Sequence, residues 1–144
     1  MGLGVLGYSP LAAGILTGKY RKGEKGRATE FKPGVPQAET DHEALLDVVI
    51  AVAAEVQSDP AKVAIAWVSA KGVIPILGAN TRLQLEANLG ASLIRLEDEQ
   101  IARLDKASAI PLGYPQERLS SESVRAMLTG NRWNQIDRPR RVVR

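Results

Sequence analysis

Apolar residues at Leu45, Val49, Val52 and Val56 recur every three or four positions, the period of one face of a helix. Ahead of them, Thr40 and Glu43 have the spacing of a capping box, so the pattern predicts a helix that starts there and ends near Gln57. Asp59-Pro60 opens a second helix, with an N-cap residue and proline at the first helical position, and Gly72 closes it. Val63, Ile65, Trp67 and Val68 make this helix apolar on nearly all sides, so it requires cover all round. Val73 to Leu77 is apolar throughout with Pro75 as its one structural break; a turn follows at Gly78-Ala79, and a helical pattern resumes with Leu83, Leu85 and Leu89. That is a strand, a tight turn and a helix start.

Nearer the beginning, Leu3, Val5 and Leu6 make residues 2–7 a short buried strand with glycines interleaved, and Pro10, which has no N–H to give a ladder, ends it. Ala12 to Tyr20 reads as a turn of helix or as loop. From Arg21 to Gln37 the composition is Gly, Lys, Arg and Pro, with almost nothing apolar except Phe31 and Val35, which predicts a long exposed loop. Leu96 and Ile101 are spaced as a hydrophobic staple for a helix from about Glu97 to Ala107. A Pro/Gly-rich connection and a short helix near Ser121 to Leu128 occupy residues 111–130, and a frayed basic tail runs from Arg138 to Arg144.

Two strands joined by a crossover that contains helices pair in parallel, and their nearly continuous apolar character predicts that both faces are covered. Two strands do not close a sheet. Their outer edges leave backbone groups unpaired, which a complete domain removes by adding strands or closing a barrel, so the chain reads as part of something larger.

Composition narrows the classes. At 144 residues, 44% of them hydrophobic, the chain is long enough for one sizeable core. No apolar run approaches the roughly 18 residues of a membrane span, and the start, Met1 to Tyr8, passes into a strand with no basic region or cleavage pattern of a secretory signal. The absence of cysteine excludes disulfides and thiolate metal sites and fits the cytoplasm. The net charge of +3 gathers in the loop Lys19 to Lys32 and in the tail. Such a surplus steers anions of any kind, and with aromatics at 4% and no recognition motif it does not point to nucleic acid.

The candidate chemistry lies at the Gly78 turn. Backbone N–H groups at a helix start lack intrahelical partners and carry partial positive charge, so a small-residue turn there suits an anion such as a phosphate. Thr81 and Gln84 also have capping-box spacing, and both roles stay open for Gln84. His42, the one histidine, sits at a helix start where a solvated role is expected. Tyr20 and Tyr114 lack a nearby lysine–carboxylate pattern and are expected to be packing residues, as Trp67 is expected to fill core. Tyr8 alone would be an interfacial aromatic at a strand end. The basic loop is a solvated lid or a clamp on a ligand, and its position after Tyr8 favours the clamp.

The segment from Gly7 through Tyr8-Ser9-Pro10-Leu11-Ala12-Ala13-Gly14 to Thr17-Gly18-Lys19-Tyr20 resembles the region of the seventh strand of aldo-keto reductases. Val63 to Val68, Val73 to Asn88 and Leu96 to Ser108 resemble that family's seventh helix, eighth strand and final helices, in order and at family-like spacing. The resemblance implies an α/β chain that is a C-terminal fragment of a (β/α)8 TIM barrel: two parallel strands with several helices over residues 1–130, then a basic tail over 131–144. It implies a cytoplasmic oxidoreductase that reduces a carbonyl to an alcohol by hydride transfer from NADPH, held at the C-terminal ends of the last strands. By position, Tyr8 matches the aromatic that stacks on the nicotinamide, and Ser9, Leu11 and Gly14 match the turn along the pyrophosphate. Gly78, Ala79 and Asn80 match the turn under the adenosine phosphate, with Gln84 and Asn88 toward the 2′-phosphate and adenine.

Asn80 stands where many relatives carry a basic residue, which weakens selection for the phosphorylated cofactor unless Arg82 compensates, and Ala87 stands where a carboxylate or amide commonly precedes the matched asparagine. The family's catalytic Asp, Tyr, Lys and His lie on earlier strands, so this chain is expected to hold cofactor without a proton donor and to be inactive alone, with no catalytic residue and no metal ligand. A different class of function, a non-catalytic interaction or regulatory remnant that associates with itself or with a complementary barrel fragment, follows from the open strand edges and the all-round apolar helix.

Overall fold

The computed structural model describes residues 3–30, 42–111 and 113–137. Among these the order is β1 (Val5–Gly7), 3-10 turns at Ala12–Thr17 and Lys19–Lys22, α1 (Arg27–Glu30), α2 (His42–Glu55), α3 (Pro60–Ala70) and β2 (Val73–Pro75). Then come α4 (Arg82–Leu89), a 3-10 turn at Gly90–Leu93, α5 (Asp98–Ala107), α6 (Gln116–Ser120), α7 (Glu122–Thr129) and a 3-10 turn at Trp133–Gln135. The described residues divide into two compact units, 3–108 and 109–137.

In the first unit β1 and β2 pair in parallel, as expected, with Val5 opposite Val73, Leu6 opposite Ile74 and Gly7 opposite Pro75. The core lies between helices: Val49, Val52 and Ala53 of α2, Val63 and Ala64 of α3, Leu104 of α5 and Leu16 form one buried cluster. The buried stripe of α2 is Leu46, Val49, Val52 and Ala53, while Leu45 and Val56 flank it half-buried, so the predicted face is right and its centre is one residue over. Four consecutive residues of α3, Val63 to Ala66, are buried, which is the cover on several sides that its composition requires.

The α3 start keeps Asp59 in an extended conformation before Pro60, but the Asp59 carboxylate makes an ion pair with Lys62 at 2.8 Å instead of a side-chain cap bond. On α5, Gln100 Oε1 accepts from the Glu97 N–H at 3.1 Å, and Leu96 packs on the core. Thr40 lies outside the described residues with the rest of 31–41, and so does the predicted frayed tail, 138–144.

Two expectations for this unit are corrected. The strands are not buried: Leu6 is 65% and Ile74 59% exposed, because α3 packs on one side of the pair and nothing among the described residues covers the other. By register and alternation, Leu6, Ile74 and Ile76 share that open face. The stretch after Gly18 is also less irregular than its composition predicts, with a 3-10 turn at Lys19–Lys22 and a helical turn at α1. The helix predicted after the Gly78 turn forms as α4, with Leu83, Leu85 and Leu89 exposed.

The second unit holds α6, which the sequence pattern does not predict, and α7, which begins after Ser121 as predicted. Within it the Arg125 guanidinium lies 4.9 Å from the centroid of the Trp133 ring. Tyr114 is exposed and does not pack, contrary to expectation. No described helix is long and apolar enough to cross a membrane.

Candidate cofactor cleft

The ends of β1 and β2 deliver two backbone turns to one place. After β1, Ser9, Ala12, Ala13 and Gly14 all take left-handed φ values (58, 48, 57 and 93°), which three of them, as non-glycines, adopt at a steric cost. The turn is cross-tied: Ala12 N–H donates to Ser9 O at 2.9 Å, Gly14 N–H to Leu11 O at 2.9 Å, and Thr17 Oγ1 to Gly14 O at 2.8 Å. Strain held by this many bonds fixes the conformation in advance of any ligand.

After β2, the turn at Gly78 to Asn80 leads into α4. Thr81 is the N-cap, and its hydroxyl accepts from the Gln84 N–H at 3.2 Å. Gln84 Oε1 reaches back to the Asn80 N–H at 2.9 Å, so the sequence-level capping box is present but closes on Asn80, one residue before Thr81. Asn88 is buried, and its Nδ2 donates to Gly78 O at 3.3 Å. Both amides therefore shape the turn from within the helix.

Between the two turns is an open cleft of about 910 Å³. All nine residues singled out from the sequence line it: Tyr8, Ser9, Leu11 and Gly14 from the first turn, and Gly78, Ala79, Asn80, Gln84 and Asn88 from the second. Tyr8 stands at the cleft with most of its surface exposed.

Sequence reasoning missed two further lining residues, Lys19 and Lys25. Their signal was the basic composition after Gly18, which has no period from which individual residues could be chosen. Among the described residues the lining contains both lysines and no carboxylate, so these present a positive potential to an anion. Lys19 Nζ sits 5.0 Å from the Tyr20 ring centroid. Tyr20 is half-buried, as a packing residue should be, and its hydroxyl donates to Ala13 O at 2.8 Å and accepts from Ala28 N–H at 3.0 Å.

Arg82 does not line the cleft. Its Nε pairs with Glu86 Oε1 at 2.7 Å on the exposed side of α4, so it adds no charge beside Asn80. His42 begins α2, and among the described residues no group of three or more His, Asp or Glu side chains could hold a metal ion. Trp67 is half-buried against the core and donates from Nε1 to Asp105 Oδ1 at 2.8 Å.

Comparison with known proteins gives this geometry a context. The sequence profile of the Aldo/keto reductase family matches residues 1–109. An aldo-keto reductase of Strobilurus tenacellus is 32% identical over 77% of this chain, and an uncharacterised oxidoreductase of Mycobacterium bovis is 38% identical over 72% of it. An aldo-keto reductase of Schizosaccharomyces pombe whose name specifies NADP(+) is 27% identical over 75%. The matches cover 36%, 33% and 35% of these relatives, so the chain spans about a third of their length. A family profile that runs from the first turn of the cleft through the second and on past α5 makes this chain a member of the aldo/keto reductase family.

Proposed function

We propose that the chain forms the cofactor side of an NADP(H)-dependent oxidoreductase that interconverts a carbonyl and an alcohol. The observation that carries this reading is the cleft itself, in which two backbone turns, a helix start and two lysines meet with no opposing carboxylate among the described residues. That donor set fits a dinucleotide phosphate: peptide N–H groups and cations around small residues that let an anion approach. In this reading Ser9, Leu11 and Gly14, with Lys19 and Lys25, hold the pyrophosphate. The Gly78 to Asn80 turn, with Gln84 and Asn88 behind it, holds the adenosine end. Tyr8 forms the wall against which the nicotinamide stacks. When bound, the nicotinamide supplies the hydride.

Proton delivery is assigned to residues outside this chain. Tyr20, which is not among the described lining residues, has its hydroxyl engaged by Ala13 O and Ala28 N–H, and the described lining holds no carboxyl or imidazole group. The open face at Leu6, Ile74 and Ile76, opposite the side packed by α3, is in this reading the interior of a (β/α)8 barrel to which residues 1–130 contribute, with 131–144 as a tail. A cytoplasmic enzyme accords with the cysteine-free sequence.

The test is a fluorescence titration of the purified chain with NADPH at low salt, repeated with NADH. Saturable binding that prefers NADPH supports the reading; a folded chain, checked by circular dichroism, that binds neither overturns it for the chain alone. NADPH-dependent carbonyl reduction by this chain above background would overturn the assignment of the proton donor elsewhere. The same open apolar face favours a second reading, an interaction module that associates with itself or with a complementary barrel fragment, and a strictly monomeric species in sizing experiments would count against self-association.

A further inference from the structure

Lys19 and Lys25 line the cleft, but among the described residues neither is held by an ion pair. Arg21, two residues after Lys19, turns instead to α2. Its Nε donates to Glu43 Oε2 at 2.6 Å, its Nη1 to Asp47 Oδ1 at 2.6 Å and its Nη2 to the Glu43 carbonyl oxygen at 3.0 Å. All three guanidinium nitrogens are thus engaged by residues one helical turn apart. Most exposed ion pairs contribute little, but a fork that meets two carboxylates and a carbonyl fixes orientation as well as charge.

The same stretch is fastened on its other side by Tyr20, whose hydroxyl bridges Ala13 O and Ala28 N–H. Consecutive residues therefore pin the turn in two directions, Tyr20 to the cleft wall and Arg21 to α2. We propose that Arg21 is a positioning residue for the cleft: it touches no ligand, but it holds the turn from which Lys19 and Lys25 meet the anion. This rests on the reading of the cleft as a dinucleotide site. Without the Arg21 latch, the turn must be ordered at the moment of binding, and that ordering cost weakens affinity by about three- to tenfold.

Two measurements on the full chain test it. The first is amide hydrogen exchange without ligand at Gly23, Glu24 and Ala28, whose N–H groups bond to Tyr20 O, Lys19 O and the Tyr20 hydroxyl. Arg21→Gln should accelerate exchange there and leave Ile101 on α5 unchanged; unaltered exchange at all three overturns the latch. The second is the NADPH titration with Arg21→Gln, with Arg21→Lys, and with Arg21→Gln in a Lys19→Met/Lys25→Met background. Arg21→Gln should weaken binding, Arg21→Lys should recover part of the loss by pairing with one carboxylate, and Arg21→Gln should have no further effect once the lysines are gone. An undiminished loss in that background means that Arg21 acts through the fold, and the positioning role falls. A wild-type chain that does not bind NADPH overturns the cofactor reading and the role in binding with it, while the exchange comparison decides separately whether the latch exists.

Discussion

The buried side-chain amide of Asn88 on α4 donates to the carbonyl oxygen of Gly78, 3.3 Å away, so the turn on one side of the cleft is held by the helix that follows it. Asn88→Ala removes that donor from the turn, which costs about 0.5–1.5 kcal/mol, the net worth of a hydrogen bond to a carbonyl that water can still reach. Asn88→Asp costs more, because it sets a carboxylate against the carbonyl oxygen. Urea denaturation measures both, and NADPH titration should weaken in the same order. A change in stability for Asn88→Ala within about 0.5 kcal/mol would class the position with ordinary surface sites and remove its role in the turn.

What the sequence made legible depended on how local its causes were. Asp59-Pro60 and Gly72 mark the ends of α3 because proline geometry and a left-handed φ of 74° at Gly72 are properties of single residues. The nine cleft residues were legible through their resemblance to aldo-keto reductase segments, and the parallel pairing of the strands before the two turns is what brings them together. Exposure was not legible. Leu6 and Val5 are equally apolar, and only the packing of α3 on one side leaves Leu6 the more exposed, at 65% against 41%. Lys19, Lys25 and Arg21 were hidden for another reason: the stretch has no periodicity, and what sets them apart is contact made in the fold, Lys19 with Tyr20, Arg21 with Glu43 and Asp47, and both lysines with the cleft. Gln84 had the right spacing for a cap, but which N–H it reaches is set by the turn before it.

Acid should loosen the α3–α5 contact. Asp105 on α5 accepts from Trp67 Nε1 and pairs with the Lys71 ammonium just past α3. Burial by itself raises the Asp105 pKa, but the Lys71 and Trp67 hydrogen bonds and the Lys71 charge outweigh it, and the carboxyl is held below its ordinary value. A depressed carboxyl contributes stability above its unfolded pKa, about 4, and loses it as the pH falls through the lower folded value. Asp105→Asn keeps an acceptor for Trp67 but loses the charge, so it should cost about 1 kcal/mol at neutral pH, kept at the low end because the side chain is 40% exposed. Melting at neutral pH and again well below the carboxylate range checks this: the gap between wild type and variant should close in acid. Glu55, held low by Gln100 and Arg103, supplies a further acid-sensitive link between α2 and α5 that the variant leaves in place.

A methyl group at Gly26 would collide first with Lys19 Nζ and also meet Lys19 Cε and the Tyr20 hydroxyl oxygen, the last two each 2.9 Å from its carbon. The lysine can swing away, but the hydroxyl is held by Ala13 O and Ala28 N–H. Gly26→Ala should therefore displace Lys19 from the cleft and destabilise the fold by about 1–3 kcal/mol, the usual cost of overpacking. Tyr20→Phe in the same chain removes the part of the collision that cannot swing away. Thermal melting of the double variant should lie above that of Gly26→Ala, and the reverse order would show that the hydroxyl's two hydrogen bonds outweigh the clash.

Gly78 provides the opposite case. No atom lies within 4 Å of a carbon built there, and its backbone lies outside the left-handed region, so neither space nor conformation in the unliganded chain requires glycine. Gly78→Ala should leave the melting temperature unchanged or raise stability by about 0.4–1 kcal/mol through the less flexible unfolded chain. If the cleft brings a phosphate against this turn, the same methyl group occupies the space the anion needs, and NADPH affinity should fall at least about tenfold. A loss of binding without a loss of stability would place the requirement for glycine in the complex. Full affinity in the variant would mean that the anion does not approach the backbone at Gly78, and the adenosine end would have to be sought along Lys19 and Lys25 instead.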